Sequence, residues 1–130
     1  QEVDENAKRS YNVNQRKRIE ELGYMSSFAY NYDVFYVPVP LRAPMGNVKS
    51  GIMTLSNIEI DAALRYRFEG EELFLTQLFD LDRCFTVSRI QVEDKELVMI
   101  NAHFSAYDKG GAVRTRQLAQ IKMSAKRATT

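Results

Sequence analysis

A mixed α/β layered fold (α+β) is the class that the sequence predicts, and three observations predict it. Aromatic and β-branched runs broken by turn residues fill the stretch from Met25 to Leu97, which is the strand signal. Helix candidates stand at about Asn12 to Leu22 and about Ala112 to Lys126. Between them lies a hairpin whose second arm carries one wholly apolar face, a surface that a helix can cover.

Taken in order, the first helix candidate has Val13, Ile19 and Leu22 as its few apolar residues, among Arg16, Lys17, Arg18, Glu20 and Glu21. That pattern predicts a surface helix with a narrow buried stripe, closed by a C-terminal cap at Gly23. Pro38, Pro40 and Pro44, followed by Gly46-Asn47 and Ser50-Gly51, read as a long surface loop, because such a stretch cannot run as a helix or a central strand. Gly51-Ile-Met-Thr-Leu-Ser56 is a short apolar run of the buried-strand kind, and Ile60 to Phe68 is a second, ending at Glu69-Gly70. Phe85 to Val92 and Leu97 to Phe104 flank the charged Glu93-Asp-Lys-Glu96, a hairpin with an exposed four-residue turn.

Side chains alternate along the second arm of that hairpin. Val98, Ile100, Ala102 and Phe104 form the apolar face, while Leu97, Met99, Asn101 and His103 share a face that turns from apolar to polar. After the loop Ser105 to Gly111, in which Gly110-Gly111 frees a turn, the last helix places Val113, Leu118, Ile121 and Ala125 near one face. Tyr30, Tyr32, Phe35 and Tyr36 are expected as core and loop packing, and Cys84 as a small buried filler.

Composition narrows the function. At 130 residues the chain has the size of one ordinary domain, and 45% hydrophobic with 27% charged residues excludes global disorder. Eighteen Lys and Arg against seventeen Asp and Glu leave a formal charge of +1, which excludes a strongly basic nucleic-acid coat and a polyacidic tail but not a local patch. One cysteine, Cys84, excludes an intrachain disulfide and a multi-cysteine zinc site, and leaves the compartment open. No apolar run reaches the ~20 residues that a membrane span needs. Because it starts at Gln1 rather than Met, the chain is expected to be a piece of a longer precursor.

Each candidate for chemistry has an ordinary structural reading when taken alone. The single histidine, His103, suits a hydrogen-bonded structural role, Asn101 suits backbone groups at a strand end, and Glu2 suits a solvated carboxylate. Their order gives them weight: Gln1-Glu2-Val3, then Gly51-Ile-Met-Thr-Leu-Ser56, then Val98-Met-Ile-Asn101-Ala-His103-Phe, then Arg116-Gln117-Leu118. This succession resembles the endonuclease/exonuclease/phosphatase superfamily of metal-dependent phosphoesterases, with its Q-E, G-x-x-x-L-S, N-x-H and R-x-x-Q-L segments. The resemblance runs over essentially the whole chain.

The resemblance implies part of a four-layer α/β sandwich with mostly antiparallel strands. It implies a deoxyribonuclease- or sphingomyelinase-like phosphoesterase that hydrolyses a phosphodiester or phosphomonoester. Its partner would be a phosphate ester: a nucleic acid, a phospholipid or a small phosphoester. Glu2 would be the ligand of Mg²⁺, or of Mn²⁺ in its place, which is a role that suits a hard cation with one or two carboxylates and several waters. His103 would stand at the scissile phosphate and donate a hydrogen bond or a proton, and Asn101 would orient His103 or contact a phosphate oxygen. Arg116 would anchor its helix to the sheet.

The G-D-x-N and S-D-H segments of the superfamily do not occur in the sequence. Residues 1–130 are therefore expected to be a central fragment of one such domain, lacking the opening strands and the C-terminal half. Such a fragment binds metal weakly and catalyses nothing by itself, and its uncovered edges favour self-association. A reading of a different class is a module of the same shape that has lost catalysis and serves binding or scaffolding. A third is an α/β domain in which the short matches arose by chance.

Overall fold

The computed structural model of the chain describes residues 1–37, 46–69, 83–105 and 108–129, with the backbone alone for 32–37 and 46–48. It is an α+β structure with two antiparallel three-stranded sheets and one long helix. The first sheet holds β1 (Val3–Asp4), β3 (Gly46–Ser56) and β2 (Met25–Val37) in the order β1-β3-β2. The second holds β4 (Ile60–Arg67), β5 (Cys84–Val92) and β6 (Lys95–Ala102) in the order β4-β5-β6. A short helix, α1 (Gln15–Glu20), precedes β2, and α2 (Ala112–Ala128) follows β6.

The strand β5 is buried from Cys84 through Ser88 because both of its faces are covered. One face meets the first sheet through small and polar side chains. Ala29, Ile52 and Cys84 form the apolar part of this layer. Around it the Cys84 N–H donates to Asn31 Oδ1 at 2.9 Å, and the Ser27 and Ser88 hydroxyls lie 3.4 Å apart. Small residues let two backbones approach, and the buried amide of Asn31 is affordable only because it is bonded. The other face carries Phe85 and Val87, which pack with Phe68, Ile100, Phe104 and Ile121 under α2. Phe85 is 1% exposed, a burial that contributes about 1.5–3 kcal/mol. The apolar face expected for Val98, Ile100, Ala102 and Phe104 is thus the face that the helix covers.

Several boundaries differ from the sequence expectations. The first helix starts at Gln15, not Asn12, because Asn12 has φ +57° and Asn14 caps the helix by accepting from the Lys17 N–H at 2.8 Å. Leu22 is exposed rather than part of a stripe, and the helix is capped at Glu21 rather than at Gly23, which turns the chain two residues later at φ +85°. Residues 46–51, read as loop, are the start of β3 and pair with β2, since no proline follows Pro44; residues 38–45 of that loop lie outside the described residues. The hairpin turn tightens from four residues to Glu93-Asp94, with Val92 paired to Lys95 and Glu93 at φ +56°. On α2 the buried position is Gln117, and Leu118 is exposed.

Gln117 and Gln120 do what was expected of Arg116. The Gln117 Oε1 accepts from the Ser105 N–H at 3.2 Å, and its Nε2 donates to Ser105 Oγ at 3.1 Å. Gln120 Oε1 accepts from the Glu69 N–H at 3.1 Å, and Arg116 is exposed. A buried amide that satisfies a loop N–H fixes the helix as firmly as an apolar anchor does. The start of α2 is set by Gly110 and Gly111, at φ +77° and +72°, and by Asp108, whose carboxylate accepts from the Arg114 N–H at 2.8 Å. No helix among the described residues is long and apolar enough to cross a membrane.

Candidate functional site

Glu2 and His103 lie 101 residues apart in sequence and meet where β1 begins and β6 has just ended. Pairing of Val3 with Gly51 and of Asp4 with Ser50 lays β1 along β3. Gln1 reaches the other sheet, where its side-chain amide donates to the Ala102 carbonyl. Glu2 is held between these two attachments with His103 Nε2 3.8 Å from its Oε1. The Glu2 side chain is 62% exposed and the His103 side chain 23%, so the pair opens to solvent on the carboxylate side.

Asn101 is two residues earlier on the same face of β6. Its Nδ2 donates to the Met53 carbonyl at 3.1 Å and lies 3.4 Å from Thr54 Oγ1. Asn101 therefore ties β6 to β3 across the two sheets, and β3 is the strand on which β1 lies. The amide protons are committed to that tie. In this arrangement Asn101 holds the end of β6, and His103 follows directly after it. An open cleft of about 540 Å³ runs beside it, lined by Gln1, Met53, Leu55, Met99, Asn101 and Leu118 among others.

Three further residues position the site, and sequence reasoning missed them. Arg83 donates to the Phe104 carbonyl at 2.8 Å and to the His103 carbonyl at 3.4 Å, which pins the segment that carries His103 beyond the strand end. Asp4 and Arg9 fix the strand that carries Glu2. Arg9 bonds both Asp4 carboxylate oxygens, Nη2 to Oδ1 at 2.6 Å and Nε to Oδ2 at 2.9 Å. No local pattern marks Arg83, whose partners lie 20 and 21 residues on, and the five-residue step from Asp4 to Arg9 matches no helix or strand period. Glu2 has φ +54°, a region that non-glycine residues seldom occupy. A strained backbone at the carboxylate that faces the imidazole is the kind of outlier that functional sites retain.

Burial raises the Asp4 carboxyl, but hydrogen bonding and charge from Arg9 outweigh it, so the group lies below the usual Asp range. A carboxyl depressed in the folded state stabilises above its unfolded value, about 3.9, and loses that contribution as pH falls toward the folded value. We therefore expect Asp4→Asn to lower stability by about 1–3 kcal/mol at pH 7. The deficit should shrink below about pH 4. Thermal melts of both proteins between pH 3 and pH 7 check this, and a pH-independent gap would contradict it.

The remaining polar contacts of the first sheet are structural. The Tyr30 hydroxyl donates to Glu5 Oε2 at 2.9 Å, with Lys49 Nζ 4.8 Å from its ring centroid and Phe28 packed edge-on. Tyr30 is engaged as packing, as expected; the side chains of Tyr32, Phe35 and Tyr36 lie outside the described residues. Cys84 is buried, its thiol 3.4 Å from the Tyr30 carbonyl.

A metal ion would find one carboxylate here, Glu2, with open solvent around it. That donor set fits Mg²⁺ or Mn²⁺, which accept one carboxylate and complete their shell with water and phosphate oxygens. It does not fit a structural zinc centre, which takes four protein ligands. Among the described residues no three of His, Cys, Asp and Glu gather, at Glu2 or anywhere else. No family model, curated protein or solved structure matches the chain.

Proposed function

We propose that the chain carries part of the catalytic site of a metal-dependent phosphoesterase of the endonuclease/exonuclease/phosphatase kind. The observation that supports this is the meeting of Glu2 and His103 across the chain, with Asn101 holding the strand between them. In the same reading, the two sheets and α2 are inner and outer layers of a four-layer sandwich. The chain then stands for residues central to that domain.

When bound at Glu2, Mg²⁺ supplies charge neutralisation at a phosphoryl group. The chain's own residues do the rest of what is visible. His103 Nε2, 3.8 Å from the Glu2 carboxylate, would donate an N–H to a phosphate oxygen as charge develops on it. Asn101 keeps β6 in register with β3, and Arg83 keeps the backbone beyond it from swinging. Positioning of this kind is where catalytic geometry is won, because a displacement of about 1 Å costs on the order of 100-fold in rate.

Nicking of supercoiled plasmid by the natural full-length protein, with Mg²⁺ and with EDTA, tests the reading. The expected result is nicking that requires the metal. If plasmid stays intact, phospholipid and small phosphate esters are assayed next. A folded protein that hydrolyses none of the three contradicts the proposal and leaves a binding or scaffolding module.

A further inference from the structure

We propose that the outer face of α2 docks on an anionic phospholipid surface, with Met123 set into the bilayer boundary and Arg116, Lys122, Lys126 and Arg127 on the headgroup phosphates. The proposal concerns where the protein sits and stands apart from the phosphoesterase reading, since the lipid here is a surface and not the ester that is hydrolysed.

The seventeen residues of α2 include Arg114, Arg116, Lys122, Lys126 and Arg127, and no Asp or Glu. Successive residues turn by about 100° around an α-helix. Arg116, Ala119, Lys122, Met123, Lys126 and Arg127 therefore share about 140° of the circumference, on the side away from buried Gln117. All six are exposed. Lys122 and Lys126, one turn apart, form one border of this face, and Arg116 and Arg127, three turns apart, form the other. Met123 stands between the two borders and is 57% exposed. The helix backbone fixes these spacings, and the amides of Gln117 and Gln120 fix the helix to Ser105 and Glu69.

Solubility alone calls for charges of both signs on such a face. Lys122 and Lys126 are instead like charges at i and i+4, an arrangement that costs helix stability. Arg114 is left out of the face because it pairs with Asp108 at 3.6 Å. Glu69 is the carboxylate that the Gln120 bond brings to this side, and the four cations outnumber it.

Three features favour a lipid surface over other polyanions. The helix has no aromatic ring on which a base could stack. Its outer face is convex, so a peptide finds no pocket in which to bury an anchor. An exposed thioether among Lys and Arg gains by entering the acyl boundary, while the basic stems lie along apolar surface and keep their heads at the phosphates.

The test is co-sedimentation of the natural full-length protein, in EDTA, with vesicles of phosphatidylcholine alone or mixed with phosphatidylserine. Near such a surface each Lys or Arg strengthens binding about 5-fold. Binding is expected to the mixed vesicles only, and to weaken with salt. The double variant Lys122→Gln, Lys126→Gln should bind them about 25-fold more weakly with an unchanged melting temperature, two cations being lost. Met123→Gln should weaken binding at low and at high salt alike, because its contribution is apolar. Equal affinity of the double variant and the wild type overturns the proposal, as does failure to bind the mixed vesicles or equal binding to phosphatidylcholine alone. Tighter binding of duplex DNA or polyglutamate than of the vesicles, lost in the same double variant, would assign the face to a different partner and overturn it too.

Discussion

Replacing His103 with alanine is expected to lower metal-dependent phosphodiester hydrolysis by the full-length protein about 10²–10⁴-fold, the usual contribution of a positioned proton donor. The loss should fall on kcat, with KM little changed, if the imidazole acts, as proposed, on charge that forms only as the phosphoryl group reacts. The structure gives the ring little else to do. Its Nε2 faces Glu2 at 3.8 Å, and the anchoring of its segment runs through backbone carbonyls to Arg83. Removing the ring leaves that anchoring intact, and because the side chain is only 23% exposed the loss of its packing should lower stability by about 0.5–1.5 kcal/mol, well short of unfolding. A variant that melts normally and hydrolyses normally would remove His103 from the site. One that loses activity only by unfolding would make the residue structural.

Gly51→Ala is expected to be among the most destabilising single-methyl additions in the protein, at about 3 kcal/mol, the upper end of the range for overpacking. Gly51 lies in the middle of β3, with β1 on one side at Val3 and β2 on the other at Tyr30. A Cβ there would stand 2.4 Å from the Ala29 carbonyl oxygen and 2.4 Å from Cζ of Phe28. The ring can turn away; the backbone oxygen cannot move without disturbing the β2–β3 ladder. Because β1 is only two residues long and hangs on Gly51 and Ser50, the displacement reaches Glu2 next. Chemical denaturation of the wild type and the variant measures the loss. A change below about 0.5 kcal/mol would mean that β1 and β2 give way freely.

The strands from Met25 onward and the last helix are legible in the sequence because their signals are local. Alternation fixes the faces of β6, and the apolar set Val98, Ile100, Ala102 and Phe104 is where α2 packs. The start of β3 is not legible, since Gly46-Asn47 has turn chemistry that only pairing with β2 overrides. Gln117 is not legible as the buried residue of α2, because the polar loop groups it satisfies are distant from it in sequence. Of the candidate site, residue types were visible in the sequence and their proximity followed only from the resemblance: no local pattern between Glu2 and His103 encodes that β1 and β6 come together.

Within these 130 residues His103 is the single histidine, so its imidazole protons report on one place in the chain. The most direct test of a metal-binding carboxylate beside that ring is the response of those signals to Mn²⁺, in the wild type and in Glu2→Gln. The expected result is selective broadening of the His103 ring signals that Mg²⁺ reverses by competition and that Glu2→Gln abolishes. Broadening that is equal in both proteins, or absent from both, would contradict it.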